Sequence, residues 1–245
     1  MIEQDKTGSS EREVKMIYFT GDMHGDRSRI GRAALSDLKE DDTLIVCGDF
    51  GFLWDGGSRE RRALERLSGR GPNVLFIDGT HENFSLLNAL PTVTYRGGKA
   101  HKLTDRVYHL MRGQIFEIEG RTVFTFGGGE TPELELQTDE ELTEDRPEVP
   151  TRLEMLEGIR NLERVDYRVD YVATHEPPGG VRDFLTLSSK SAPTVSAIGA
   201  YLDELAQQAA YTRWFFGSLH RDTFISSSSI CVFENIVNAA TGHTL

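Results

Sequence analysis

Gly21-Asp22-Met23-His24-Gly25-Asp26 decides how this chain is read. The run before it, Met16-Ile17-Tyr18-Phe19, is apolar throughout and predicts a buried strand that opens into a loop at Gly21. An Asp and a His two positions apart, between glycines that let the backbone turn tightly, can aim both side chains at one point above the strand end. A carboxylate oxygen and an imidazole nitrogen suit a borderline divalent ion. One Asp-x-His is weak evidence alone; recurrence along the chain gives it weight.

Downstream, residues 28–39 carry Ile30, Ala33, Ala34, Leu35 and Leu38 at helical spacing. Thr43-Leu44-Ile45-Val46-Cys47 is a continuous apolar run, as in a strand covered on both faces, and it ends in Gly48-Asp49-Phe50-Gly51. A charged amphipathic helix is expected over 59–67, broken by 69–72. A third strand over 73–77 runs into Asp78-Gly79-Thr80-His81-Glu82. Three strand–helix units in a row predict an α/β sheet, which binds ligands outside the carboxyl ends of its strands.

The pattern then changes to short strand-like runs at 93–95, 107–110, 114–118 and 122–126, with a hairpin turn at Glu119-Gly120-Arg121; the stretch 92–126 reads as antiparallel. Gly127-Gly128-Gly129 is expected to be a turn where chains pass closely. A helix over 151–165 precedes a buried strand over 169–173, which runs into Thr174-His175-Glu176-Pro177-Pro178. After a helix over 193–209, a strand over 213–216 ends in Gly217-Ser218-Leu219-His220. A hairpin from 223–225 and 229–234 and a last strand at Val237-Asn238 complete the chain. With no repeat and no linker, the expectation is a disordered or tag-like tail over 1–13 and a single domain over 14–245.

Bulk properties narrow the function. A net charge of −12 over 245 residues argues against non-specific nucleic-acid binding, which needs a basic surface. No apolar run is long enough to span a membrane and no signal-peptide core is seen. The two cysteines, Cys47 and Cys231, sit in apolar runs and suit a reducing compartment, so a cytoplasmic location is expected. Between Glu130 and Glu148 nine acidic residues face one basic residue, Arg146. That segment reads as a solvated loop or as a lid that repels polyanions.

Polar residues therefore gather at five strand ends: Asp22 with His24, Asp49, Thr80 with His81, His175, and Ser218 with His220. Four of the seven histidines lie there. Packing alone does not account for such placement, and the pattern points to metal binding.

The order GD-x-HG, GD, G-x-HE, a lone strand-end His and G-x-x-H resembles the calcineurin-like metallophosphoesterases over nearly the whole chain. Phe76-Ile77-Asp78-Gly79, His109-Leu110-Met111-Arg112-Gly113 and Trp214-Phe215-Phe216-Gly217 resemble small bacterial and phage members. The resemblance implies an α/β fold of two packed mixed β-sheets flanked by helices, a four-layer α/β/β/α sandwich. It implies that Asp22, His24 and His220 hold a first metal, that Asp49 bridges two metals, and that His175 serves the second. His81 matches the histidine beside the phosphate. The implied reaction is metal-dependent hydrolysis of a phosphomonoester, phosphodiester or nucleotide by metal-bound hydroxide.

Two departures stand out. Thr80 occupies the place of the family's usual asparagine, and Ser218 that of the first histidine of Gly-His-x-His. Both places normally serve the second metal. Hydroxyls there weaken the second site and harden it toward Mg²⁺-like ions. Thr80 can still offer its hydroxyl to a metal, whereas Ser218 is better suited to hold a water. Glu176, Glu82 or Glu130 can compensate if the fold places them there. One or two divalent ions per chain are expected, Mn²⁺ first, with Mg²⁺, Fe or Zn²⁺ as alternatives. The expected partner is a small phosphorylated substrate. The alternative reading is an inactive or weakened member that binds a protein partner. Arg112 is expected to be a surface arginine.

Overall fold

The computed structural model describes residues 14–31, 33–69, 71–130, 146–186 and 196–245. The first sheet takes β1 (Ile17–Thr20), β2 (Thr43–Cys47), β3 (Asn73–Ile77), β4 (Thr92–Tyr95), β5 (Gly98–Lys102) and β6 (Val107–Leu110). The chain then crosses to a second sheet made of β7 (Gln114–Ile118), β8 (Arg121–Phe126), β9 (Tyr171–Thr174), β10 (Arg213–Phe216), β11 (Thr223–Phe224) and β12 (Ser229–Cys231). It returns at β13 (Val237–Asn238) to close the edge of the first. The sheet orders are β13-β1-β2-β3-β6-β5-β4 and β11-β12-β10-β9-β8-β7. Each sheet has four parallel strands at its centre, β1, β2, β3 and β6 in one and β8, β9, β10 and β12 in the other, with antiparallel strands outside them.

Alternation along the strands builds the layers. In β2, Ile45 and Cys47 face the other sheet while Val46 faces helices; in β3, Leu75 and Ile77 face in and Val74 and Phe76 face out. Phe215 of β10 joins the shared core, and Trp214 and Phe216 point away. Phe19 and Phe215 stack across the two sheets with centroids 3.9 Å apart. Because both faces of these strands are covered, their sequences are continuously apolar. The outer layers are helical: α1 (Arg27–Ile30), α2 (Ala33–Ser36), α3 (Ser58–Leu67) and α4 (Phe84–Asn88) belong to the first half, and α5 (Arg152–Glu163), α6 (Gly179–Thr186) and α7 (Ala197–Gln208) to the second. A capping box between Thr151 and Glu154 fixes the start of α5. The architecture is the expected four-layer sandwich of two mixed sheets.

Several local expectations need correction. The helix expected over 28–39 is two short pieces, the first capped at Gly31. The stretch 92–126 is not simply antiparallel, since β6 lies parallel to β3 and β8 parallel to β9. Strand β5, Gly-Lys-Ala-His-Lys, has no apolar run to announce it; its pairing with β4 is set by the Arg96-Gly97 turn, both residues at positive φ. The 119–121 hairpin is as expected, with Glu119 and Gly120 at φ 48° and 74°. Helices α4 and α6 were not anticipated. The tail 1–13, most of the acidic segment (131–145) and the stretch before Ser196 where a helix was expected to begin lie outside the described residues.

Candidate metal centre

The parallel strands β1, β2 and β3 end side by side, and the parallel pair β9–β10 ends opposite them. Asp22 and His24 therefore follow β1, Asp49 follows β2, Thr80 and His81 follow β3, His175 follows β9, and Ser218 and His220 follow β10. Backbone bonds interlock the loops: Asp22 N donates to Gly48 O at 3.1 Å, His24 N to Asp49 O at 2.7 Å and Gly217 N to His175 O at 3.1 Å. Side chains tie the two sheets together. His175 Nδ1 lies 3.2 Å from Cys47 O, and Ser218 N donates to Asp22 Oδ1 at 3.1 Å.

Asp22, His24, Asp49 and His220 each offer a donor atom within 4.8 Å of the others. Two of the four come from the β1 loop and one each from the β2 and β10 loops, so no single helix or motif makes the cluster. His24 Nε2 is 2.9 Å from His220 Nε2 and 3.7 Å from Asp49 Oδ2. Asp22 Oδ2 is buried and has no hydrogen-bond partner. An unsatisfied carboxylate oxygen is costly in a protein interior. Asp22 stands together with two imidazoles and a second carboxylate, a donor set that fits a divalent cation.

The backbone is held in an unusual form to achieve this. Asp22, His24, Asp49, Ser218 and His220 all have positive φ, between 45° and 68°. Left-handed geometry costs a non-glycine residue roughly 1–2 kcal/mol, and its concentration in one cluster marks a site whose side-chain directions are imposed by the surrounding fold. Glycines supply the clearance: a Cβ on Gly48 would run into the His175 ring, and one on Gly79 into the Asp49 carboxylate.

Electrostatics separate the two carboxylates. Burial raises Asp22 to about 6, against the pull of His175 and the Ser218 N–H. Burial also opposes ionisation of Asp49, but His175, the His81 N–H and His24 outweigh it and hold Asp49 below the usual range. Burial would lower His175, yet Asp49, Asp22 and the Cys47 carbonyl raise it. Burial lowers His24 and keeps it a neutral donor.

His81 stands at the rim, its side chain 59% exposed, with Nδ1 3.2 Å from Asp49 Oδ2 and its N–H donated to Asp49 Oδ1 at 2.8 Å. Its neighbour Thr80 places its hydroxyl 3.0 Å from His81 Nδ1. His175 is buried beside both carboxylates, 3.6 Å from Asp22 and 3.9 Å from Asp49. It is outside the close group of four. None of the three glutamates that stood as substitutes joins the donors. Glu82 accepts from Phe50 N and Gly51 N, and Glu130 accepts from Ala197 N at the start of α7. Glu176 accepts from Ser218 Oγ and pairs with Arg182.

Sequence reasoning missed the supports. Arg29 is buried and its guanidinium donates to the carbonyls of Gly21 and Asp22 and to Thr20 Oγ1, bracing the first loop. Glu82, pushed up to about 8 by burial, holds the loop after Asp49. Arg112, expected on the surface, is buried and bonds Asp78 through Nε and Nη2. Only the placement of Asp78 at a strand end hinted at that pair. The glycine run 127–129 is a close crossing as expected: Cβ atoms there would strike Asp78, Arg112 and Glu176.

A search of curated protein sequences returns no match. Among solved structures, phosphopantetheinyl hydrolase from Mycobacterium tuberculosis is similar, with 17% identity, 89% of each chain covered and a TM-score of 0.45. A family model described as calcineurin-like phosphoesterase matches residues 15–217, a span that begins just before β1, takes in Asp22, His24, Asp49, Thr80, His81 and His175, and stops before Ser218 and His220. On that match the chain belongs to the calcineurin-like phosphoesterase family.

Proposed function

We propose that this chain hydrolyses a phosphate ester of a small molecule, a phosphomonoester, phosphodiester or nucleotide, at the centre built from Asp22, His24, Asp49 and His220. The observation that carries the reading is the four-donor cluster with an orphaned Asp22 oxygen. These four residues would hold a divalent ion, Mn²⁺ by preference, which would lower the pKa of a water and supply positive charge for the developing phosphate anion. The protein's own part is orientation. Asp49 carries negative charge between the donor cluster and His81, and its oxygens are fixed by the His81 N–H, so it orders both halves of the site. His81, exposed and steered by Thr80 and Asp49, is placed to donate a proton to the departing oxygen. His175 keeps its Nδ1 at the Cys47 carbonyl and faces Asp49 with Nε2, so it reinforces the carboxylates. The two free, buried cysteines fit a cytoplasmic setting, and the acidic composition argues against non-specific nucleic-acid binding; no described helix is long and apolar enough to cross a membrane.

One observation favours the second reading, a binding module without turnover. Among the described residues only one close group of metal donors forms, and Thr80 and Ser218 are both engaged elsewhere. Bound Mn²⁺ and hydrolysis of an aryl phosphomonoester and diester, measured with Asp49→Ala alongside, decide between them. Turnover that disappears together with the metal in Asp49→Ala is the expected result. Metal binding without turnover in Mn²⁺, Mg²⁺ or Zn²⁺ would establish the binding module.

A further inference from the structure

The four donors of the centre come from both sheets, and His220 is the one that the second sheet supplies. It lies on an exposed loop after β10 with φ 46°, so its backbone alone does little to fix its ring. Two contacts orient that ring. Nε2 lies 2.9 Å from His24 Nε2, and one face stacks on Phe233 with centroids 5.1 Å apart and planes 20° apart. The nitrogen pair can share a proton or give its lone pairs to an ion, and it cannot do both. The Phe233 contact uses the ring face and is compatible with either state.

Phe233 is half-buried and anchored on two sides. Asp222, two residues after His220, accepts from Phe233 N at 2.8 Å and from Glu234 N at 3.1 Å, which ties the loop after β12 to the loop that carries His220. Phe233 O accepts from Gly21 N at 3.3 Å, from Thr20 Oγ1 at 2.9 Å and from the guanidinium of Arg29. That guanidinium has its Cζ 5.5 Å from the Phe233 ring centroid and also donates to Gly21 O and Asp22 O, each at 2.8 Å. The phenyl ring on which His220 rests is therefore fixed against the loop that carries Asp22, across the junction of the two sheets.

We propose that Phe233 is a positioning residue for the metal: its ring sets the plane of the His220 imidazole against Asp22, so that donors from the two sheets stand in register before an ion arrives. The inference rests on the metal centre of the phosphoesterase reading above and not on turnover. Aromatic rings at this separation attract through offset faces, and a guanidinium beside the same ring adds to its hold. Neither contact consumes an imidazole lone pair, so the ring is oriented without losing its capacity to ligate. Ligating histidines are ordinarily oriented by a partner at the second nitrogen; here the ring face serves.

The test is metal binding, independent of turnover. Mn²⁺ affinity is measured by equilibrium dialysis on the full chain, with metal-free melting temperatures alongside, for wild type, Phe233→Leu, Phe233→Tyr, His220→Ala and the double variant of Phe233→Leu with His220→Ala. The expected results are affinity weakened about tenfold in Phe233→Leu, the scale on which partners of a ligating histidine act, and restored to within about threefold of wild type in Phe233→Tyr. Once His220 is alanine, Phe233→Leu should cost nothing further, because the ring acts through that histidine. Unchanged Mn²⁺ affinity in Phe233→Leu, with or without a lower melting temperature, would overturn the inference. So would equal losses in Phe233→Leu and Phe233→Tyr, or a loss that persists without His220. If Phe233→Leu does not fold, Phe233→Met removes the flat face while keeping the bulk and carries the same comparison; if His220→Ala binds too weakly to measure, the Leu–Tyr comparison decides by itself. Weakened metal binding in Phe233→Leu with no turnover in any metal would sink the hydrolase reading and spare this one; turnover with Mn²⁺ affinity indifferent to Phe233 would do the reverse.

Discussion

Two carboxylate–histidine clusters lie in this molecule at the carboxyl ends of β1 and β3, parallel strands on either side of β2, and they differ in one respect. Asp78, after β3, is fully satisfied: Arg112 donates to Oδ2 at 2.8 and 2.6 Å and His109 Nε2 lies 3.1 Å from Oδ1. Arg112 and His109 outweigh the cost of burial and hold this carboxyl well below the usual carboxylate range. Asp22, after β1, is just as buried but keeps an oxygen without a partner, and burial raises it to about 6. The first cluster brings its own cation and behaves as a structural strut; Arg112 goes on to bind Pro147 O, Glu148 O and Glu154, fastening the chain on the far side of the acidic segment. The second has no arginine at its carboxylate: its close neighbours are imidazoles, with His175 3.6 Å away, and one oxygen of Asp22 is left over for a cation from solution. Burial of a carboxylate is thus no sign of function. Burial without compensation is.

That contrast can be broken most sharply at Arg112. Arg112→Ala strips the counter-ion from a buried carboxylate and should cost about 3–5 kcal/mol of stability, read as a lower denaturation midpoint. A change below 1 kcal/mol would show that Asp78 is hydrated and the strut reading wrong. At Asp22 the expectation reverses, because removing the group relieves an uncompensated charge. Asp22→Ala should leave the metal-free protein as stable or more so, and abolish stabilisation by metal. In wild type, Mn²⁺ at 100 times its Kd should add about 2.7 kcal/mol; thermal melts with and without chelator check it, and a chelator-insensitive wild type would contradict the metal centre.

The pH dependence should also differ in sign. Asp78, with its pKa depressed, contributes stability that is present above the ordinary value near 4 and lost as pH falls below it. Asp22, with its pKa raised, does the opposite: metal-free protein loses stability from this group as pH rises from about 4 through about 6. A cation requires the ionised form, so the Mn²⁺-induced rise in melting temperature should shrink between pH 7 and pH 5. An equal rise at both values would remove Asp22 from the ligands. The smallest effect is expected from Thr80→Asn with Ser218→His, which returns the family's usual donors to the His175 side. Calorimetry should then show a second, weaker Mn²⁺ event, and none at all would mean that the His175 side lacks the geometry of a metal site.

Much of this was legible in the residues. Strands covered on both faces are continuously apolar, so β1, β2, β3 and β10 could be located to within a residue or so, and the loops that end them drew attention to Asp22, Asp49, His81 and His220 because polar residues follow abruptly. Strand β5 was illegible for the converse reason: Lys99 and Lys102 face solvent, Gly98 packs on the Phe116 ring, and no apolar run survives. Arg112 looked like a surface residue and nothing singled out Arg29, because groups that receive their donors lie as far as 35 and 204 positions away in the chain. Nothing local distinguishes a buried arginine from an exposed one.

Sequence alone determined where β1, β2, β3, β9 and β10 lie, the two-sheet architecture through the family it resembles, and the identities of the candidate donors at the strand ends. These follow from short-range pattern, since apolar periodicity and the residues just after it are properties of contiguous segments. Tertiary structure decided which donors meet. Asp22, His24, Asp49 and His220 form one group while His175 stands beside it, and Glu176 turns to Arg182. Those distinctions depend on how two sheets pack and on which buried charge finds a partner, and each partner is supplied by a remote part of the chain.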